Sequence, residues 1–187
     1  PGQTEDALKG LSAVVPMGTS VGVAGRSGAG KSTMIDMILG LLTPTEGVIT
    51  VGGEKVEDVL FEWRQHIGYV PQEVMLFDGT IAQNIALTWG DDIDYARVER
   101  AARRAQIWEL VELRPGGMKA SIGDRGSSLS GGQRQRMGIA RALYTDPLVL
   151  VLDEATSALD TKTESDVAQA IRGLHGDVTV IAVAHRL

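Results

Sequence analysis

Gly25-Arg26-Ser27-Gly28-Ala29-Gly30-Lys31-Ser32-Thr33 has the spacing G-x-x-x-x-G-K-[ST]. Glycines in such a loop let backbone N–H groups turn inward around a polyphosphate, Lys31 reaches the outer phosphates as a point charge, and Ser32 offers a hydroxyl to Mg²⁺. The flanks agree. Val21-Gly22-Val23-Ala24 reads as a short buried strand, and Met34, Ile35, Ile38, Leu41 and Leu42 recur at helical spacing to a helix end near Leu42. Strand, glycine loop and helix N-terminus form one anion-binding unit.

Working outward, 187 residues, 43% hydrophobic and 22% charged, suit one globular domain with a sizeable core. The net charge of −6 argues against a general affinity for nucleic acid. Cysteine is absent, which removes disulfides, thiol nucleophiles and cysteine-metal sites. No apolar run approaches the roughly 20 residues that cross a bilayer, so no direct membrane insertion of this segment is expected. Both ends read as cuts in a longer chain, since the apolar run Val178–Ala184 stops almost at the C-terminus.

Upstream of the loop, Ala7 to Val15 alternates as a strand. Downstream, Val48–Val51 and Ile67–Val70 read as further strands, and Thr80-Ile81-Ala82-Gln83 has capping-box form. Asp94 opens a helical segment predicted to run to about Leu113, whose arginines read as a solvated, charge-paired face. Ser130 and Gln133 form a second capping box at a helix carrying Ile139, Ala140, Ala142 and Leu143. Leu148–Leu152 is a continuous apolar run, the pattern of a strand buried on both faces of a parallel sheet. The fold class is therefore α/β, a P-loop core with a mostly parallel sheet flanked by helices. Residues 1–72 and 146–187 would form the nucleotide-binding core, and 73–145 an inserted helical subdomain.

Asp153 and Glu154 leave the end of the Leu148–Leu152 strand. At the carboxyl edge of a parallel sheet they stand beside the phosphate loop, where Asp153 can hold Mg²⁺ and Glu154 can polarise an attacking water. Gln72 follows another strand end, and its amide oxygen can join the metal shell. His185 ends a third strand, within reach of a γ-phosphate. Leu129-Ser130-Gly131-Gly132-Gln133 presents a serine hydroxyl and two glycine N–H groups at a helix N-terminus, a second anion site for which one nucleotide in one domain has no use.

Taken together, these stretches resemble the nucleotide-binding domain of an ATP-binding cassette (ABC) protein. The correspondence covers the Walker A loop Gly25–Thr33, the Q-loop at Gln72, the signature Leu129–Gln133, the Walker B residues Asp153 and Glu154, the D-loop Ser157–Asp160 and the switch His185. The resemblance implies a head-to-tail dimer that sandwiches two ATP molecules between Walker A of one copy and the signature of the other. Phe77–Ile85 and Ile122–Gly126 are similar to the segment after the Q-loop and the X-loop of exporters, which implies a transmembrane domain contacted through the Gln72 loop and the X-loop. Met75, Leu76 and Phe77 would line the receiving groove. The implied role is ATP hydrolysis at the cytoplasmic face of a membrane, the inner membrane in a bacterium. Glu154, Lys31 and His185 would be catalytic, and Ser32, Gln72 and Asp153 would hold Mg²⁺. A soluble ABC ATPase of DNA repair or translation is the alternative, set back by the lack of sustained heptads between Lys31 and Ser130.

Overall fold

A computed structural model describes residues 6–154 and 161–184. In chain order the elements are β1 Ser20–Ala24, α1 Lys31–Ile38, β2 Thr50–Val51, β3 Glu54–Lys55, α2 Leu60–Gln65, β4 Ile67–Val70, α3 Ile81–Ala86, α4 Tyr95–Arg104, α5 Trp108–Leu113, α6 Gly131–Leu143, β5 Val149–Asp153, α7 Thr161–Arg172 and β6 Thr179–Ala184. Four strands form one parallel sheet in the order β1-β6-β5-β4, while β2 and β3 make a small antiparallel hairpin around Gly52-Gly53.

β5 is central. Val149, Leu150, Val151 and Leu152 are all buried, because alternate side chains feed two apolar layers. On one face Val149 and Val151 join Ile35 of α1, Trp63 of α2, Ile181 and Val183. On the other, Leu150 and Leu152 join the larger cluster that includes Ile81, Ile85, Val98, Ile107, Met137, Ile139 and Leu143. α6 lies so close to β4 that a Cβ on Gly68 would stand 2.8 Å from the Ala142 carbonyl oxygen.

Several sequence expectations need correction. Ala7 to Val15 is not a strand: its described residues carry no ladder, and Leu11 is 60% and Val14 91% exposed. Alternation makes a strand only where a neighbour accepts its hydrogen bonds. β1, read as buried, is an edge strand paired, among the described residues, with β6 alone, and its side chains are exposed or half-buried. α1 ends at Ile38 because Gly40 takes a left-handed φ of 66° and turns the chain before Leu41 and Leu42, both of which are exposed. The single helix expected over 94–113 is two, α4 and α5, separated at Gln106 with φ 53°. Both capping boxes form, at Thr80 with Gln83 and at Ser130 with Gln133.

Candidate nucleotide site

The Gly25–Thr33 loop closes around its own lysine. Lys31 is buried, and its Nζ donates to the carbonyl oxygens of Gly25 at 2.9 Å and Arg26 at 3.0 Å. An ammonium has three donors, so one remains for a ligand. Ser27, Gly28 and Ala29 form the exposed rim, tied by the turn bond from the Ala29 N–H to the Arg26 carbonyl. Gly30 precedes α1 with φ 84°, and a Cβ there would run into the Ala7 carbonyl oxygen. Having no side chain, Gly30 cannot cap α1, so the first N–H groups of the helix, those of Lys31, Ser32 and Thr33, meet the loop without a side-chain cap. The Ser32 side chain is exposed beside them.

Parallel strands β4 and β5 carry the next residues to the same sheet edge. Asp153 ends β5, close enough to Lys31 for the ammonium to pull on its carboxyl. Burial nevertheless holds that carboxyl above the usual carboxylate range, with the Glu154 charge adding to the rise. Glu154 follows in a left-handed conformation, φ 49°, while its N–H still bonds the Val183 carbonyl oxygen at 3.0 Å. Left-handed backbone on a glutamate costs on the order of 1–3 kcal/mol and is held by its surroundings. Here the carboxylate accepts a bond from Gln72 Nε2 at 2.9 Å. Gln72 is exposed just past Pro71, where β4 has ended.

At the start of α6, Ser130 is the N-cap. Its Oγ accepts the Gln133 N–H at 3.3 Å, and Gln133 Oε1 accepts the Ser130 N–H at 2.8 Å. Ser130 and Gly131 are exposed while Gly132 is buried. The helix N-terminus thus opens to the surface. His185 and the stretch Ser157–Asp160 lie outside the described residues.

Two stretches singled out by resemblance are held against each other. Thr80 and Ser121 form an antiparallel bridge, flanked by bonds from the Ile81 N–H to the Ala120 carbonyl and from the Ile122 N–H to the Gly79 carbonyl. The Met75–Phe77 run splits: Met75 is 64% exposed, Leu76 is 5% exposed and packs where Gly126 leaves room, and Phe77 stacks on Trp89 with ring centroids 4.1 Å apart.

Sequence reasoning missed three members of the assembly. Tyr69, read only as a strand residue, places its hydroxyl 3.4 Å from Asp153 Oδ2. Asn84 and Arg141 meet across 57 positions and tie the Met75–Phe77 run to α6. No local pattern signals such a pair.

Because Asp153 is more readily protonated in the fold than in the unfolded chain, its charged form weakens the nucleotide-free fold. That loss is absent below the ordinary carboxylate range near pH 4 and grows as pH rises through the raised value. Asp153→Asn should therefore raise the thermal midpoint of nucleotide-free protein at pH 7. The difference from wild type should vanish below about pH 4, read by melting curves across pH.

A parallel sheet whose carboxyl edge gathers a glycine loop around a buried lysine, an uncapped helix start and two successive acids defines a P-loop nucleotide-binding protein. Comparison narrows the class. Residues 8–157 match the family model described as ABC transporter, and the chain belongs to that family. It is 44% identical over 189 aligned residues to an ATP-dependent lipid A-core flippase of Cupriavidus pinatubonensis, covering 98% of this chain and 32% of that protein. A sophorolipid transporter of Starmerella bombicola is 42% identical over 96% of this chain and 14% of its own length. Among solved structures, a bacterial Atm1-family ABC exporter with ATP bound superposes with a TM-score of 0.83 at 41% identity, over 98% of this chain and 32% of that one. The chain spans a third or less of the length of these relatives. No described helix is long and apolar enough to cross a membrane.

Proposed function

We propose that this chain is the ATP-binding and ATP-hydrolysing domain of an exporter- or flippase-type ABC transporter, working at the cytoplasmic face of a membrane. The observation that carries this reading is the meeting of Lys31, Asp153, Glu154 and Gln72 at one sheet edge, beside the uncapped start of α1. Family membership and relatives that are exporters and flippases support it. The soluble-ATPase alternative has no such support.

In this reading the N–H groups of Gly28–Thr33 and the third Lys31 donor grip the β- and γ-phosphates. Glu154 accepts the proton of the attacking water. The residues 73–145 act as a helical subdomain carrying Ser130, Gly131, Gly132 and Gln133 to the nucleotide of a second copy or a related domain. The Gln72 loop and the neighbouring Ile122–Gly126 loop receive the transmembrane domain. His185 is assigned to the γ-phosphate by resemblance.

The donor set suits Mg²⁺. Ser32 hydroxyl, Asp153 carboxylate and Gln72 carboxamide are hard oxygen ligands, few in number, as Mg²⁺ prefers when phosphates and water complete its shell. Asp153 carries a charge that burial and Glu154 disfavour, which a cation would relieve. Gln72 spends its Nε2 on Glu154, leaving its oxygen for the metal. When bound, Mg²⁺ neutralises charge on the phosphate oxygens.

The test is phosphate release by the full-length transporter carrying Ser130→Ala. Loss of one charge-assisted hydrogen bond to phosphate should lower turnover about tenfold or more. Nucleotide binding at the phosphate loop should be retained. Wild-type turnover would remove Ser130 from the site and the shared-nucleotide reading with it.

A further inference from the structure

Tyr69 stands on the α1-facing side of the sheet. In the β4–β5 register it lies opposite Val151, whose neighbours on that face are Val149 and, two residues further along, Asp153. One two-residue step along a strand is roughly 6.6 Å, a span that the length of a tyrosine bridges and a leucine or valine does not. The residue is 40% exposed, and its hydroxyl reaches Asp153 Oδ2 at 3.4 Å.

The surroundings make this hydroxyl matter. Asp153 is faced by two other acids, Glu154 beside it and Asp36 on α1, against the single ammonium of Lys31. Asp36 follows Ser32 by one helical turn, so both lie on one side of α1. Among these neighbours the Tyr69 hydroxyl is the neutral donor, and the carboxylate oxygen it faces is Oδ2. We propose that Tyr69 is a positioning residue: by holding Asp153 Oδ2 it reserves Oδ1 for the divalent cation that accompanies ATP. This inference rests on the reading of Asp153 as a cation ligand.

The probe is Mn²⁺ binding to the full-length transporter loaded with a non-hydrolysable ATP analogue, followed by electron paramagnetic resonance. Tyr69→Phe keeps the ring and its packing and removes only the hydroxyl. It should weaken Mn²⁺ about tenfold, the lower end of what partners of metal ligands contribute, while metal-free nucleotide affinity stays within about twofold. Asp153→Asn is the reference. Unchanged Mn²⁺ affinity in Tyr69→Phe, with Asp153→Asn impaired, overturns the positioning role alone. Equal weakening of nucleotide with and without metal overturns it too, because it points to packing. If Asp153→Asn also binds Mn²⁺ as wild type does, the underlying assignment of Asp153 falls instead.

Discussion

Glu154→Gln in the full-length transporter is expected to lower ATP turnover by about 10²- to 10⁴-fold, the range for removal of a general base, or roughly 3–5 kcal/mol in barrier. The substitution keeps the side-chain length and an oxygen able to accept from Gln72 Nε2, so the 2.9 Å contact across the two strand ends can persist. What disappears is the proton-accepting charge. Nucleotide binding should survive, because in the proposed reading the phosphates are gripped by the loop backbone and by Lys31, whose Nζ is held by the Gly25 and Arg26 carbonyls. Binding should even gain slightly, since the Glu154 charge is one of the forces pushing the Asp153 carboxyl upward. The variant should therefore retain unhydrolysed ATP through filtration while releasing almost no phosphate. Near-normal phosphate release would take Glu154 out of the chemistry and leave the strained left-handed backbone at that position without the role assigned to it.

How much of this was legible beforehand follows from the range of the forces involved. The glycine turn into α1 and the two capping boxes depend on residues three to eight apart, and each lies where spacing put it. β5 was legible because burial on both faces removes polar residues from it. The Ala7–Val15 pattern misled because alternation describes one strand while pairing needs two, and among the described residues β6 is the ladder partner of β1. The break at Gln106 was hidden because a left-handed turn on a residue other than glycine carries no compositional mark. In the candidate site, the positions of Asp153, Glu154 and Gln72 were foreseeable from strand ends in a parallel sheet, and that of Lys31 from the loop spacing. Tyr69 was not, since a tyrosine in a short strand looks like any other β-former until the register shows what its hydroxyl meets.

The second large effect concerns stability and involves no residue assigned to the nucleotide. Asn84 is fully buried with every hydrogen-bonding position of its carboxamide in use. Its Nδ2 donates to the carbonyls of Phe77 at 3.0 Å and Thr80 at 3.1 Å, and its Oδ1 accepts from the Phe77 N–H at 3.1 Å and Arg141 Nη2 at 3.4 Å. Arg141, on α6, also donates from Nε to the Asn84 carbonyl and from Nη1 to the Met75 carbonyl, both at 2.9 Å. Burial lowers the pKa of that guanidinium, so its charge is held in a place that disfavours it and is compensated by these acceptors. Asn84→Ala strips the Phe77 and Thr80 groups of their partner and leaves a hole where the carboxamide stood. At about 1–3 kcal/mol for each buried group left unpaired, partly offset by water entry, the variant should lose about 3–5 kcal/mol, a large share of the 5–15 kcal/mol typical of a domain. Asn84→Asp is the instructive companion. It restores acceptors for Phe77 N–H and Arg141 but gives up the two donors, so it should recover part of the loss, whereas a purely steric role would have it recover nearly all. Urea unfolding of the purified protein, with slope compared as well as midpoint, separates these outcomes. The network bears on the proposed function because α6 starts just after Ser130 and carries Arg141 in its last turn. The same arginine that secures the Met75–Phe77 run is carried on the helix whose first turn presents the signature serine. In the proposed reading, loosening Asn84 should let the Met75–Phe77 run and the start of α6 move independently. Unchanged stability in Asn84→Ala would show that the network is an ornament of the fold instead of its clamp.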